Sequence, residues 1–202
     1  MSHESAVLQA IHHRRSIRRF KPEPIPRHIV KQILQAATWA PSAHNRQPWR
    51  FAVLDQSEDK ERLAAKMGRK LRNDLEADGV PEEMIRKDTE RSYERMTSAP
   101  VLIVVCMSLA DMDTYPDAVR SRNEWVMAIQ STAMAGQNLL LSAHDMGLGA
   151  CWMCAPLFSP EVVMECLQLP TDWQPQGLVV MGYPAQARTK ERRPVDEMTI
   201  WY

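Results

Sequence analysis

A one-domain fold of helices carrying a few strands is what this sequence predicts, on three observations. Its 202 residues fill one ordinary domain, residues 1–202, large enough to bury roughly two-thirds of the surface that the unfolded chain exposes. The run VLIVVCM, Val101 to Met107, is short, apolar and mostly β-branched, the pattern of a fully buried strand. From Ser121 to Met146 the chain is long, helical in pattern and poor in charge, with Trp125, Ile129, Met134, Leu139 and Leu140 covering more than one face. No internal repeat or low-complexity segment competes with this reading.

The remaining elements follow in order. Ser5 to Arg14 makes a first helix, with Val7, Leu8 and Ile11 on its apolar side. KPEPIPRHI is a Pro-punctuated loop that leaves Pro26 as the first residue of a second helix, through Ile29, Val30, Ile33, Leu34 and Ala37. That helix stops before Pro41, because the residue preceding a proline disfavours helical backbone. Arg50 to Leu54 and Gly177 to Met181 read as further strands. Between the first two strands lies a charged helical stretch, Glu58 to Asp78. It breaks at Gly79 and restarts at Pro81, with Glu82 and Glu83 where acidic side chains favour the helix dipole. It is expected to be an arm or lid rather than core.

Composition excludes several classes of function. Hydrophobic residues make up 45% and charged residues 25%, and 25 basic residues balance 25 acidic ones, which gives no net attraction to nucleic acid or to a membrane surface. No apolar run approaches a membrane span and the N-terminal stretch lacks an apolar signal core, so a cytoplasmic location is expected. Of the four cysteines only Cys151 and Cys154 stand at CxxC spacing. The pair has the form of a redox dithiol or half a zinc site, but Cys106 and Cys166 have no close Cys or His neighbour to complete one, and buried free thiols are the expectation.

Chemistry is suggested by three clusters. RRSIRRF, Arg14 to Phe20, supplies guanidinium forks and a hydroxyl at a helix end, equipment for a phosphate or a polyhydroxyl chain, and equally a solvated basic face. APSAHNRQPWRF, Ala40 to Phe51, packs Ser42, His44, Asn45 and Gln47 between two prolines. RTKERRPVDEM places Lys190, Arg192 and Arg193 before Pro194, an anion clamp or a solvated tail. No Ser, His, Asp triad signature and no metal-ligand cluster is present, so neither a catalytic nucleophile nor a metal is expected.

Taken in order with GLGACW and GYP, these clusters resemble the nitroreductase family of flavin enzymes over nearly the whole chain. The resemblance implies an α+β fold, a three-layer α/β/α sandwich with a mainly antiparallel central sheet and interlocked dimer helices. It implies a homodimer with FMN at the interface, reduced by NADH or NADPH, with electrons passing to a small-molecule acceptor in a ping-pong scheme. Arg14, Arg15, Ser16, Ile17 and Arg18 match the N-terminal FMN motif, with Arg14 on the phosphate and Ser16 and Arg18 toward the ribityl chain and the ring. Lys190 and Arg192 match the basic pair that closes on the same phosphate.

Ser42, Asn45 and Gln47 match the segment that lines the flavin pocket from the partner subunit. Leu148 and Gly149 belong to the stretch that passes the other ring face. His44 is read as pocket lining, and Lys70 and Arg72 as cations that face an acidic substrate or simply a solvated helix face. Met153, Cys154 and Ala155 depart from the family pattern after Trp152. That departure favours a rival reading, a flavin- or deazaflavin-binding carrier or sensor without turnover. A narrower likeness runs from RKLRNDLEADG through DTYPD to LPTDWQPQGLVVMGYP, toward the nitroreductase-like C-terminal domain of the bifunctional γ-glutamyl ligase of deazaflavin coenzyme biosynthesis.

Overall fold

A computed structural model describes residues 5–202. Its elements are α1 (Ala6–His13), α2 (Arg27–Ala37), β1 (Trp49–Leu54), α3 (Ser57–Ala77), α4 (Glu82–Thr97), β2 (Val101–Ser108), α5 (Ala118–Asp145), β3 (Gly149–Met153), α6 (Pro160–Leu167) and β4 (Trp173–Gly182), with short 3-10 turns at Ala43–Asn45, Ala155–Phe158 and Val195–Met198.

The four strands form one sheet in the order β1-β2-β4-β3, every pair antiparallel. Alternation along β2 divides its side chains between two cores. Leu102, Val104 and Cys106 point into a cluster with Leu63, Met67 and Met96 from α3 and α4 and Val163 from α6. Val101, Ile103 and Val105 meet Val30 and Ile33 of α2 and Leu139 and Ala143 of α5. With both faces covered, β2 is buried along its whole length, which is why it reads as an uninterrupted apolar run. The result is the expected three-layer α+β sandwich. The β2–β4 register slips at Val105/Cys106, where Gly177 is followed by Pro175 as the next paired residue. A bulge is where a strand tolerates a proline, which has no N–H to give to the ladder.

The sequence reading changes at two points. The α3–α4 pair is no free arm: Leu63, Ala64 and Met67 recur at helical spacing and close one face of the sheet, leaving the charges outside. GACWM is a strand, β3, that sequence reading left unassigned, and α6 was unassigned as well. Two glycines make room for an aromatic ring: a Cβ on Gly136 of α5 would lie 2.5 Å from the indole of Trp152, and one on Gly177 of β4 2.2 Å from the same ring. Trp152 is therefore packed between α5 and β4.

α5 ends in a Schellman motif. Gly147 takes φ +76, its N–H donates to the His144 carbonyl, and the Leu148 N–H donates to the Ala143 carbonyl at 2.8 Å. This turn fixes where β3 begins. Among the described residues no helix is long and apolar enough to cross a membrane.

Candidate functional site

The edge of β3 opposite β4 is where RRSIRRF docks. Ser16 pairs in parallel with Ala150, the Ile17 N–H donates to the Ala150 carbonyl at 3.1 Å, and Phe20 pairs with Pro184. Lys21 N–H to Tyr183 carbonyl (2.8 Å) and Ala185 N–H to Arg19 carbonyl (3.1 Å) hold the far end. Ile17 lies so close to Gly149 that a Cβ there would stand 2.8 Å from the Ile17 Cβ. The glycine is what lets the basic motif reach the sheet.

This docking opens a cleft of about 610 Å3 between the start of β3 and the segment after β4. Arg14, Arg15, Ile17, His144, Leu148, Gly149 and Arg188 line it. A second cleft of about 540 Å3 shares Arg15 and adds His12, Thr189, Lys190 and Arg192. The N-terminal and C-terminal basic clusters thus converge.

The electrostatics follow from the convergence. Burial first, then the charges of Arg192 and Arg15, lower the pKa of Arg14. The Arg15 Nη1 donates to the carbonyls of His12 and Arg14 at 2.5 and 2.8 Å, while its Nε is buried without a hydrogen-bond partner. Several like charges and an unpaired buried donor are arranged for an anion, because guanidinium forks gain most from a phosphate or carboxylate.

Arg18 leads to a neighbouring cavity of about 340 Å3, where Arg91, Glu94, Arg95 and Ser98 from the end of α4 meet Arg19 and Arg188, four further guanidinium groups beside one carboxylate. Burial, then Arg91 and Arg18, lower the pKa of Arg95. Arg91 and Arg95 were not among the sequence candidates. Their signal was available: Arg95 has Arg91 and Ser92 one turn before it and Ser98 one turn after, so no carboxylate stands at helical spacing to neutralise it. His144 is a second omission. It lines the main cleft, and burial followed by the charge of Arg14 pushes its pKa below the ordinary value.

Ser42, Asn45 and Gln47 form a compact loop away from these clefts in the same chain. The Ser42 Oγ accepts from the Gln47 N–H at 3.1 Å, and the Gln47 side-chain amide donates to Asn45 Oδ1 at 3.4 Å. His44, Asn45 and Gln47 all have φ between 50° and 54°, an uncommon region for residues with a side chain. The loop is tied down from outside: the Ala43 N–H donates to Ser131 Oγ of α5, Arg46 pairs with Asp113, and Arg50 pairs with Asp111 at 2.8 Å.

Lys70 and Arg72 lie apart from the clefts of Arg14 and Arg18. Lys70 is paired with Asp74 at 2.6 Å, and Arg72 with Glu82 at 2.9 Å and Glu76 at 3.2 Å. Trp49, which opens β1 beside the loop of Ser42 to Gln47, is buried with Ala40 and Ala135. All four cysteines are free, with Cys151 buried and Cys154 exposed.

The chain is similar to several known proteins. The nitroreductase family profile matches residues 11–183. A Methanothermobacter thermautotrophicus protein named as an NADH dehydrogenase or NAD(P)H nitroreductase is 32% identical over 89% of this chain and 78% of its own length. An iodotyrosine deiodinase of Haliscomenobacter hydrossis is 30% identical over 92% of this chain and 82% of its own. A Desulfovibrio desulfuricans protein described as a nitroreductase, crystallised in complex with FMN, superposes with a TM-score of 0.77 at 30% identity, covering 98% of both chains. The chain belongs to the nitroreductase family.

Proposed function

We propose that this protein is an FMN-dependent oxidoreductase, a homodimer that takes reducing equivalents from NADH or NADPH and passes them to a small aromatic or conjugated acceptor. The observation that carries the reading is the convergence of Arg14 and Arg192, from opposite ends of the chain, beside the unpaired Nε of Arg15. These residues fit a phosphate. The crystallised relative with FMN and the relative named for NAD(P)H support the choice of cofactor and reductant.

Arg14, Arg15, Lys190 and Arg192 hold the phosphate in this scheme, and Ser16 and the backbone of Ile17 follow the ribityl chain. Arg18, with Arg95 behind it, sets positive charge at the carbonyl edge of the ring, where it favours added negative charge. Leu148 and Gly149 allow one ring face to lie against the chain. Ser42, Asn45 and Gln47 reach the flavin from the partner subunit, which agrees with their place away from the clefts of their own chain. FMN supplies the hydride and electron chemistry, so no protein nucleophile or metal is asked to do so. His44 lines the acceptor side. An acidic acceptor would reach Lys70 and Arg72 only by displacing Asp74, Glu76 and Glu82.

A homodimer accounts for the apolar surface left exposed on α1 (Val7, Leu8, Ile11) and α5 (Trp125, Met134). A cytoplasmic location suits the reductant. The likeness to the deazaflavin ligase domain puts a deazaflavin among the acceptors. The second reading, a carrier or sensor without turnover, rests on the CWMC segment. Anaerobic addition of NADH and NADPH to the FMN-loaded protein separates the two: bleaching of the flavin band is expected, and flavin that stays oxidised with both nicotinamides leaves only the carrier.

A further inference from the structure

The fold assembles a cluster that the spacing of its residues in sequence conceals. A nitrogen of His44, in the 3-10 turn of the pocket loop, a carboxylate oxygen of Asp113, after β2, and one of Glu124, in the second turn of α5, all lie within 4.8 Å of one another. Glu124 is only 4% exposed, and its Oε2 has no hydrogen-bond partner. A buried carboxylate oxygen without a donor is costly, and a bound cation is one group that removes that cost.

The charges present do not remove it. Arg46 donates to Asp113 Oδ1, so the guanidinium beside the cluster is engaged with Asp113 and not with Glu124. No hydrogen bond joins the His44 ring to either carboxylate. One imidazole and two carboxylates are a donor set for a divalent transition metal, and a carboxylate ligand is ordinarily held by a further hydrogen bond, as Arg46 holds Asp113. Ligand atoms around tetrahedral zinc stand about 3.4 Å apart, given bonds of about 2.1 Å, so side-chain rotations of about 1 Å would close the cluster on an ion.

We propose that His44, Asp113 and Glu124 bind a divalent metal ion of the zinc class, with water at the open position. The ion pins the loop from Ser42 to Gln47 to α5 and to the segment after β2, and holds His44 in its left-handed backbone conformation. The flavin reading places His44 on the acceptor side of the partner's pocket, but the site is argued from the mutual distances of its three ligands alone and does not rest on that reading.

The test is calorimetric titration of Zn2+ into chelator-stripped full-length protein, without added FMN, with Co2+ spectra as a second readout. One site per protomer is expected, with His44→Ala and Glu124→Gln each weakening it at least about tenfold. His44 is exposed, so its variant reports on binding without risk to the fold, and circular dichroism checks Glu124→Gln. Absence of zinc binding by the wild type overturns the proposal. Zinc binding unchanged in the folded His44→Ala protein overturns it too, because the ion is then held elsewhere.

Discussion

Arg14, at the end of α1, and Arg192, just before Pro194, lie close enough that the charge of the second adds to burial in lowering the pKa of the first. Two guanidinium groups brought together from opposite ends of a chain repel unless an anion joins them. The fold holds them there through backbone pairing: Ser16 on Ala150 at one end and Phe20 on Pro184 at the other. The site is thus made by the edge of β3.

Gly149→Ala tests that docking. The added methyl would stand 2.8 Å from both Cβ and Cγ2 of Ile17, so the 16–17 backbone must shift. We expect a stability loss of about 1–3 kcal/mol, read by denaturant titration, together with weaker FMN retention. A variant with wild-type stability and FMN affinity would show that the contact is not required.

Cysteine reactivity should be sharply uneven. Cys106, Cys151 and Cys166 are buried, and burial pushes the Cys106 thiol up to about 12, whereas Cys154 is exposed. The thiolate is the reactive form. A disulfide reagent should therefore label Cys154 in the native protein and the other three only after unfolding, as mass spectrometry of the labelled peptides will show.

Asp55 should contribute to acid sensitivity. Hydrogen bonds from Arg27 and then Gln56 lower its pKa from 3.8 to about 2. A depressed carboxyl stabilises the fold fully above its unfolded value and loses that contribution as pH falls from 3.8 to about 2. Asp55→Asn should lower the melting temperature near neutrality, and its difference from the wild type should shrink through this window. A difference that stays constant with pH would assign the effect to packing.

Much of the fold was legible where local chemistry dictates structure. Pro26 and Pro41 bracket α2, and the β-branched run of β2 shows its burial on two sides. β3 was not legible, because Gly149, Ala150 and Cys151 carry little strand preference and become a strand only by pairing with β4. α6 carries the β-branched pair Val162 and Val163 in its first turn, which suits a strand as readily as a helix. At the site, Arg14 and Arg192 were visible as clusters, while Arg95, half-buried, was hidden in a helix whose other charges, Arg91 included, face solvent. The group of His44, Asp113 and Glu124 depends on the docking of the pocket loop beside α5, which no local pattern encodes.

The phosphate of FMN is expected where the two basic clefts at the edge of β3 meet at Arg15. Fluorescence titration of FMN into the apoprotein and its Arg14→Ala variant tests it most directly. Loss of one charged hydrogen bond should weaken binding by about 1.5–3 kcal/mol, roughly ten- to 150-fold. Equal FMN affinity in the wild type and the folded variant would contradict the assignment.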